Sequence, residues 1–540
     1  MSVLSALTAA SGRVPRAFAL RMAEAGLDAF IPGPAEIDNG DEERYQDKSG
    51  TYTKGILQEG VGLVDPAAYA SFKKALESGD PGDFARIIIG GPRTQNGPQA
   101  GLAFFLDCPD NSEFAAPPAP ALASDAYAAE LVELYWASLL RDVAFTDYAS
   151  NATAIAAAAE LSGLPEYAGP REAGQVTTKL LFRGGFGDPN DAANPRRRYF
   201  AGENIGPYIS QFLLQPTRLG SLPITQQYLT DKSGVDFMLD EDEFQKVQNG
   251  IDTGKRLTEL TSPLYLHDGR GFAAYTHDDV LYQAYFVAYL VLNTINQPNS
   301  PPLNPGNPYL PPHPGAKTQN GFGTMGQPDI AATLTAIAGA AVKAVWYQKW
   351  FVHLRHRPES GGGIVHLQKT GKGDAIQGHV SNTVLNSMAV QKSFATNHSY
   401  FLSQAFPEGS PTHPAYPTGH GAVAGACITA LKFFFDGSFA IPKAKLLMPS
   451  SDGKTVVAYV PPAGEAPLTV DGELHKLAHN ISFGHGIHAG IHWRSDTDTS
   501  IELGEAVALR YLREYAQTYN EKFSVNLTKV DGTVTTISNH

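Results

Sequence analysis

Lys349 and Arg357, a Pro417-Thr418-Gly419-His420 turn, and His492 four residues ahead of Asp496 are the groups whose types and spacing suit a tetrahedral oxyanion. An ammonium and a guanidinium neutralise anionic oxygens, the guanidinium through paired N–H groups. A Thr-Gly pair opening a helix offers backbone N–H groups aimed at an anion, and glycine permits close approach. One histidine can bind the central atom while another moves a proton.

Each group needs an element to hold it. From Asp329 onward, Ile330, Leu334, Ile337, Ala341 and Val345 recur at steps of four, three, four and four, and the next step of four lands on Lys349. A lysine on the buried stripe of a helix requires an anionic partner. Pro358 disfavours helical geometry at Arg357, so Arg357 is expected where the chain leaves that helix. The alternative is a solvated basic helix end, Arg355-His356-Arg357, favourable to the helix dipole. Thr418 is expected to cap a helix whose Gly421, Ala422, Ala424, Gly425 and Ala426 let neighbours pack closely; the alternative is a cap with an incidental His420. Leu474, Leu477, Ala478 and Ile481 mark a buried face whose period, continued, reaches His485, His488 and His492. Asp496 can accept the imidazole N–H of His492 and so fix the other nitrogen as a ligand. A hydrogen-bonded core cluster and a zinc site are the alternatives, although no His-Glu-x-x-His motif occurs, and the His475/His479 pair lacks that Glu too.

The rest of the chain bounds the function. Its 540 residues are 43% hydrophobic and 18% charged, the balance of an ordinary globular protein, and exceed what one core usually holds. A formal net charge of −13 argues against a nucleic-acid partner. Cys108 and Cys427 are too few for a disulfide framework, and a bridge between them stays open. No apolar run approaches the ~18–20 residues of a membrane span. The N-terminal Arg/Ala stretch lacks the apolar region of a signal peptide, so a soluble chain without membrane association is expected. Val14 to Leu27 reads as an amphipathic helix, 123–162 as two helices, 165–235 as an irregular excursion, and Asp278 to Asn296 as a helix. Asp240-Glu241-Asp242-Glu243 is an acidic helix start, and Pro298 to Pro314 a proline-rich covering loop. Short hairpins are expected near Val456–Val460 and over Leu527–Ile537.

Taken together, the Lys/Arg pair, the Thr-Gly-His turn and the His/Asp pair resemble the vanadium-dependent haloperoxidases, which share this signature with acid phosphatases of the phosphatidic-acid-phosphatase type 2 superfamily. The eight-residue step from Lys349 to Arg357 and His413, seven residues before His420, resemble the algal bromoperoxidases within that family. The resemblance implies a mainly α-helical fold of packed bundles with β-hairpin appendages. Its regions would be 1–239, helices and loops for oligomer contacts; 240–520, a catalytic core; and 521–540, a hairpin or tail. It implies vanadate, vanadium(V), as cofactor, with phosphate able to take the site in its absence. His492 would be the vanadium ligand, and Lys349, Arg357, Thr418 and the Gly419 N–H would hold the oxygens. His420 would be the acid–base residue, with Lys349 stabilising charge on the bound peroxide and His413 tuning His420 or the halide site. Asp496, His485 and His488 would lie behind these. The implied reaction oxidises bromide and iodide with hydrogen peroxide to hypohalous acid, halogenating small organic acceptors. The implied assembly is a large homo-oligomer, dimer-based and extending to a dodecamer. The family places an arginine six residues before the ligand histidine, where this chain has Gly486; protonated His485 or His488 could partly replace it. An acid phosphatase and a non-catalytic oxyanion-binding oligomer are the other readings these residues allow.

Overall fold

The computed structural model describes residues 13–60, 62–106, 109–185 and 202–539. Its α-helices of eight or more residues are, in order, α1 (Arg13–Asp28), α2 (Pro66–Ser78), α3 (Asp125–Leu140), α4 (Ala152–Ser162), α5 (Glu241–Gln248), α6 (Gly269–His277), α7 (Gln283–Leu292), α8 (Gln327–Tyr347), α9 (Pro358–Thr370), α10 (Met388–Asn397), α11 (Gly419–Phe434), α12 (Val470–Phe483) and α13 (Arg494–Ala516). The described strands form three antiparallel hairpins: β1 (Thr217–Leu219) with β2 (Leu222–Ile224), β3 (Leu447–Pro449) with β4 (Val456–Ala458), and β5 (Ser524–Thr528) with β6 (Val534–Ser538). The fold is mainly helical, with strands only as appendages.

The axis of the molecule is α11, in which every residue is buried. Helices α8, α12 and α13 pack around it. Its small residues make this possible: a Cβ on Gly425 would overlap the Ile501 carbonyl, and one on Gly504 would overlap that of Ala422. The backbones of α11 and α13 therefore touch, and dispersion contacts of main chain on main chain replace those of larger side chains. The surrounding core continues through Trp136, Phe212, Tyr285, Leu334 and Leu477, so segments far apart in sequence share one apolar interior.

Local chemistry fixes the helix starts. Asp65, Ser124, Asn151, Asp240, Asp268 and Thr469 each accept a first-turn N–H with the side chain. The proline-rich 298–314 loop crosses the end of α11, where Asn304 donates to the Lys432 and Asn526 carbonyls and ties the loop to β5. Two expectations differ in detail. The helix expected over Asp278–Asn296 starts only at Gln283, because α6 ends at His277 and residues 278–282 form the turn between the two. The span Gln327–His353 is long and apolar enough to cross a membrane, contrary to the reading of apolar runs. It is the helix that packs on α11 and α13, with half of its most apolar window buried. Part of the irregular excursion, residues 186–201, and Cys108 lie outside the described residues. Cys427 is a buried free thiol, its pKa raised by burial.

Candidate active site

The Lys349 segment departs from regular helix. After Tyr347, α8 widens into a π-turn, Gln348–His353, and stops at Leu354 in left-handed conformation, φ 44°. The wider turn is a form that recurs at functional positions. Lys349 is fully buried, and its Nζ donates to the Pro414 and Ala415 carbonyls, each at 2.9 Å. The chain then straightens, and Arg357 is the N-cap residue of α9 with Pro358 in its first turn. Arg357 thus belongs to a helix start, beyond the end of the π-turn, and not to a solvated basic end: Arg355, His356 and Arg357 are all buried.

The Arg357 guanidinium gathers the site. Nε donates to the His413 carbonyl at 2.9 Å, Nη1 to the Ile491 carbonyl at 2.9 Å, and Nη1 also lies 2.8 Å from His492 Nε2. Nη2 stands 2.9 Å from His413 Nδ1. His413 also meets the Trp346 ring, with centroids 4.8 Å apart. Thr418 has the extended backbone of an N-cap but makes no side-chain cap bond, and its Oγ1 is buried without a partner. The first-turn N–H groups of Gly419 and His420 are therefore not capped by that hydroxyl. His420 Nε2 lies 2.8 Å from Asp279 Oδ1.

The histidine segment does not follow the expected helical period. α12 ends at Phe483, Gly484–His488 form a second π-turn, and a tight turn through Gly490, φ 85°, delivers His492 just ahead of α13. His485 faces the site: its ring stacks on His420 at 3.7 Å and lies 5.7 Å from that of His492. His488 does not. It points into an aromatic nest of Phe145, Phe182, Phe272 and Tyr208, with Nε2 2.9 Å from the Tyr208 hydroxyl. The wide turn separates two histidines that a regular helix would have kept on one side. Gly486, at the position of the family arginine, lies against the His492 side chain, and a Cβ there would stand 3.1 Å from the His492 Cβ.

Behind His492, Asp496 takes the Nδ1 proton at 2.8 Å, the Trp493 N–H at 3.1 Å and Arg355 Nη1 at 2.7 Å. Arg355 also pairs with Glu130 at 2.9 Å, and Glu130 accepts the Ser495 N–H at 2.6 Å. With Nδ1 committed to a carboxylate, Nε2 of His492 carries the lone pair. Arg494 is turned away, bonded to both oxygens of Glu133 and to the Arg183 carbonyl.

Burial dominates the electrostatics. It lowers Lys349 well below the usual lysine value, with Arg357 as the next cause, and lowers Arg357 to about 10. Burial likewise holds His413, His485 and His492 well below the usual imidazole range, reinforced by the neighbouring cations and imidazoles. Two basic side chains, an unpartnered hydroxyl, an imidazole lone pair turned to a guanidinium and a helix start therefore share one interior. The compensating carboxylates, Asp496 and Asp279, stand behind His492 and His420. This donor set fits a tetrahedral oxyanion such as vanadate or phosphate.

Sequence reasoning missed Asp279, Arg355, Glu130 and Trp346. Asp279 lies in a turn between two helices and Glu130 on a helix buried almost all round, so neither had a pattern to mark it. Trp346, three residues before Lys349, was readable as a helix neighbour but not as the ring covering His413.

Known proteins resemble this chain over most of its length. Residues 330–521 match the family described as the second helical-bundle domain of VCPO. The vanadium-dependent bromoperoxidase of Corallina officinalis is 32% identical, with 89% of this chain and 90% of that protein aligned. That of Ascophyllum nodosum is 30% identical over 94% and 90%. The homohexameric structure of a second vanadate-dependent bromoperoxidase from A. nodosum superposes with a TM-score of 0.87 at 26% identity, covering 96% of this chain and 89% of the other. An identity above 30% across most of both chains, together with the shared helical architecture, carries the conclusion that the chain belongs to the vanadium-dependent haloperoxidase family, among its bromoperoxidases.

Proposed function

We propose that the pocket holds vanadate on His492 and that the enzyme oxidises bromide and iodide with hydrogen peroxide to hypohalous acid, which halogenates small organic acceptors. The observation that carries this reading is the state of His492: a fully buried imidazole with Nδ1 bound to Asp496 and Nε2 turned to Arg357. Bound vanadate supplies a Lewis-acidic centre that activates the peroxide.

The protein supplies charge, position and proton control. Lys349 and Arg357 hold the oxygens, with Thr418 Oγ1 and the Gly419 N–H completing the cradle. Lys349, desolvated and fixed by two carbonyls, would set its side-chain nitrogen against the oxygens of the bound group, an effect larger in a dry site than in water. His420, with Nε2 held by Asp279, would give and take the proton at Nδ1. His413, packed between Arg357 and Trp346, orients the guanidinium and lines the halide approach. Phosphate takes the same donors when vanadate is absent. The chain works as a homo-oligomer built from dimers.

Bromination of a phenol-red-type acceptor, assayed with and without added vanadate beside hydrolysis of a phosphate ester, tests the reading. Vanadate-dependent bromination is the expected result. Ester hydrolysis without bromination would replace it with a phosphatase, and the loss of both would leave only an oxyanion-binding protein.

A further inference from the structure

The π-turn Gly484–His488 brings His485 into the pocket, where its ring lies flat on His420 and is only 7% exposed. Its Nδ1 is 3.2 Å from the Thr276 carbonyl. A carbonyl cannot donate, so Nδ1 carries the proton and Nε2 presents a bare lone pair. Among the described residues Nε2 has no hydrogen-bond partner. Burial opposes a second proton on the ring, reinforced by His420, His492 and Arg357. This side of the pocket therefore offers an acceptor, while Lys349, Arg357 and the start of α11 offer donors.

Resting on the oxyanion reading above, we propose that His485 accepts a hydrogen bond from a hydroxyl of the bound oxyanion and so selects oxyanions that carry a proton. The chemistry follows from matching. Vanadate and phosphate near neutral pH carry O–H groups, whereas molybdate and sulfate of the same shape carry none. A bare oxygen set against the Nε2 lone pair leaves two acceptors facing each other in a desolvated site, whereas an O–H satisfies both. A guanidinium in the same place would donate only and would favour bare oxygens.

The test is calorimetric titration of the metal-free protein at pH 7 with orthovanadate, molybdate, inorganic phosphate and sulfate. The phosphate-to-sulfate ratio decides, because neither anion bonds covalently to an imidazole. The wild type is expected to prefer phosphate by about tenfold or more. His485→Phe keeps the ring stack and removes the acceptor, and His485→Arg substitutes a donor; each should lower that ratio by about tenfold. His485→Gln, which can turn an amide oxygen inward, should retain most of it. If His485→Phe fails to fold, His485→Arg carries the comparison alone. Ratios within twofold of wild type in the folded variants overturn the role of His485 while leaving the oxyanion site standing. A wild-type protein that binds none of the four anions overturns both.

Discussion

Arg357 Nη1 and His492 Nε2 stand 2.8 Å apart, so a hydrogen bond from the site's guanidinium covers the lone pair that a central atom would use. Ligand binding at His492 must turn Arg357 from the imidazole to the oxygens of the ligand. The exchange keeps the guanidinium bonded in both states, which limits the cost of emptying the site. His492→Ala is expected to abolish vanadate binding and vanadate-dependent bromination while the far-UV circular dichroism stays unchanged. A variant with normal activity would sink the assignment of the ligand.

Asp496 joins His492 to Arg355 and fixes the imidazole proton on Nδ1. Asp496→Asn leaves Arg355 with Glu130 as its carboxylate partner and removes the charge behind the ring. Vanadate affinity should fall about 10- to 100-fold, the usual consequence of losing such a partner. Equilibrium dialysis with vanadate is the direct measurement, and an unchanged affinity counts against the role of Asp496.

Arg494 gives the opposite expectation. It forms a buried bidentate pair with Glu133 and faces away from the pocket. Arg494→Ala should therefore destabilise the fold by about 3–5 kcal/mol, because Glu133 is left buried and unpaired. Vanadate affinity below the melting transition should stay within twofold. A selective loss of affinity would mean that Arg494 reaches the oxyanion after all.

Acid should weaken the free protein in a defined window. Burial lowers His353 to about 4, and His356 and His488 to about 3. Above the unfolded imidazole value of ~6.5 both states are neutral and these groups add no slope. Below it the unfolded chain takes up protons that the folded chain refuses, so stability falls as pH falls, by about 1.4 kcal/mol per pH unit for each imidazole. His479 runs the other way, raised to about 10 by Glu203 and Asp498 against its burial, but its contribution changes between ~6.5 and that value and is constant below. Urea midpoints at pH 7.5, 6.5 and 5.5 should rise over the first step, where His479 gains stability as the pH falls, and drop over the second, where the lowered imidazoles outnumber it.

Assembly can be read from exposed apolar side chains. On and after α1, Phe18, Met22, Leu27 and Phe30 are open to solvent, and so are Phe104 and Leu106. Exposed large apolar side chains in this number are consistent with a covering partner. Light scattering at micromolar concentration should give a multiple of 57.8 kDa, and a monomer mass would end the oligomer claim.

The sequence made much of the scaffold legible, and where it failed the reasons are physical. The stripe from Ile330 to Val345 did point to a helix with a buried face leading to Lys349, which lies in the π-turn just beyond its end, and the small residues after Gly419 did mark a helix packed on others, because both signals are local and periodic. The same reasoning carried the period of α12 through His492 and placed His488 beside it. A period cannot announce its own interruption: nothing in the types of Gly484–His488 states that the turn there is wider. Asp279 and Glu130 were invisible because they reach the site through tertiary contacts alone.

The two π-turns also bear on how such a pocket can be changed. Gln348–His353 and Gly484–His488 each place one more residue in a helical turn than the regular form holds, and each sets a chemically active side chain, Lys349 or His485, against the same interior. Shortening the second by one residue would restore the regular repeat across Gly484–His488. Point substitutions can only exchange the group at a fixed bearing. Gain or loss of a single residue in these turns instead re-addresses which position of the chain faces the ligand, leaving the helices on either side to pack as before.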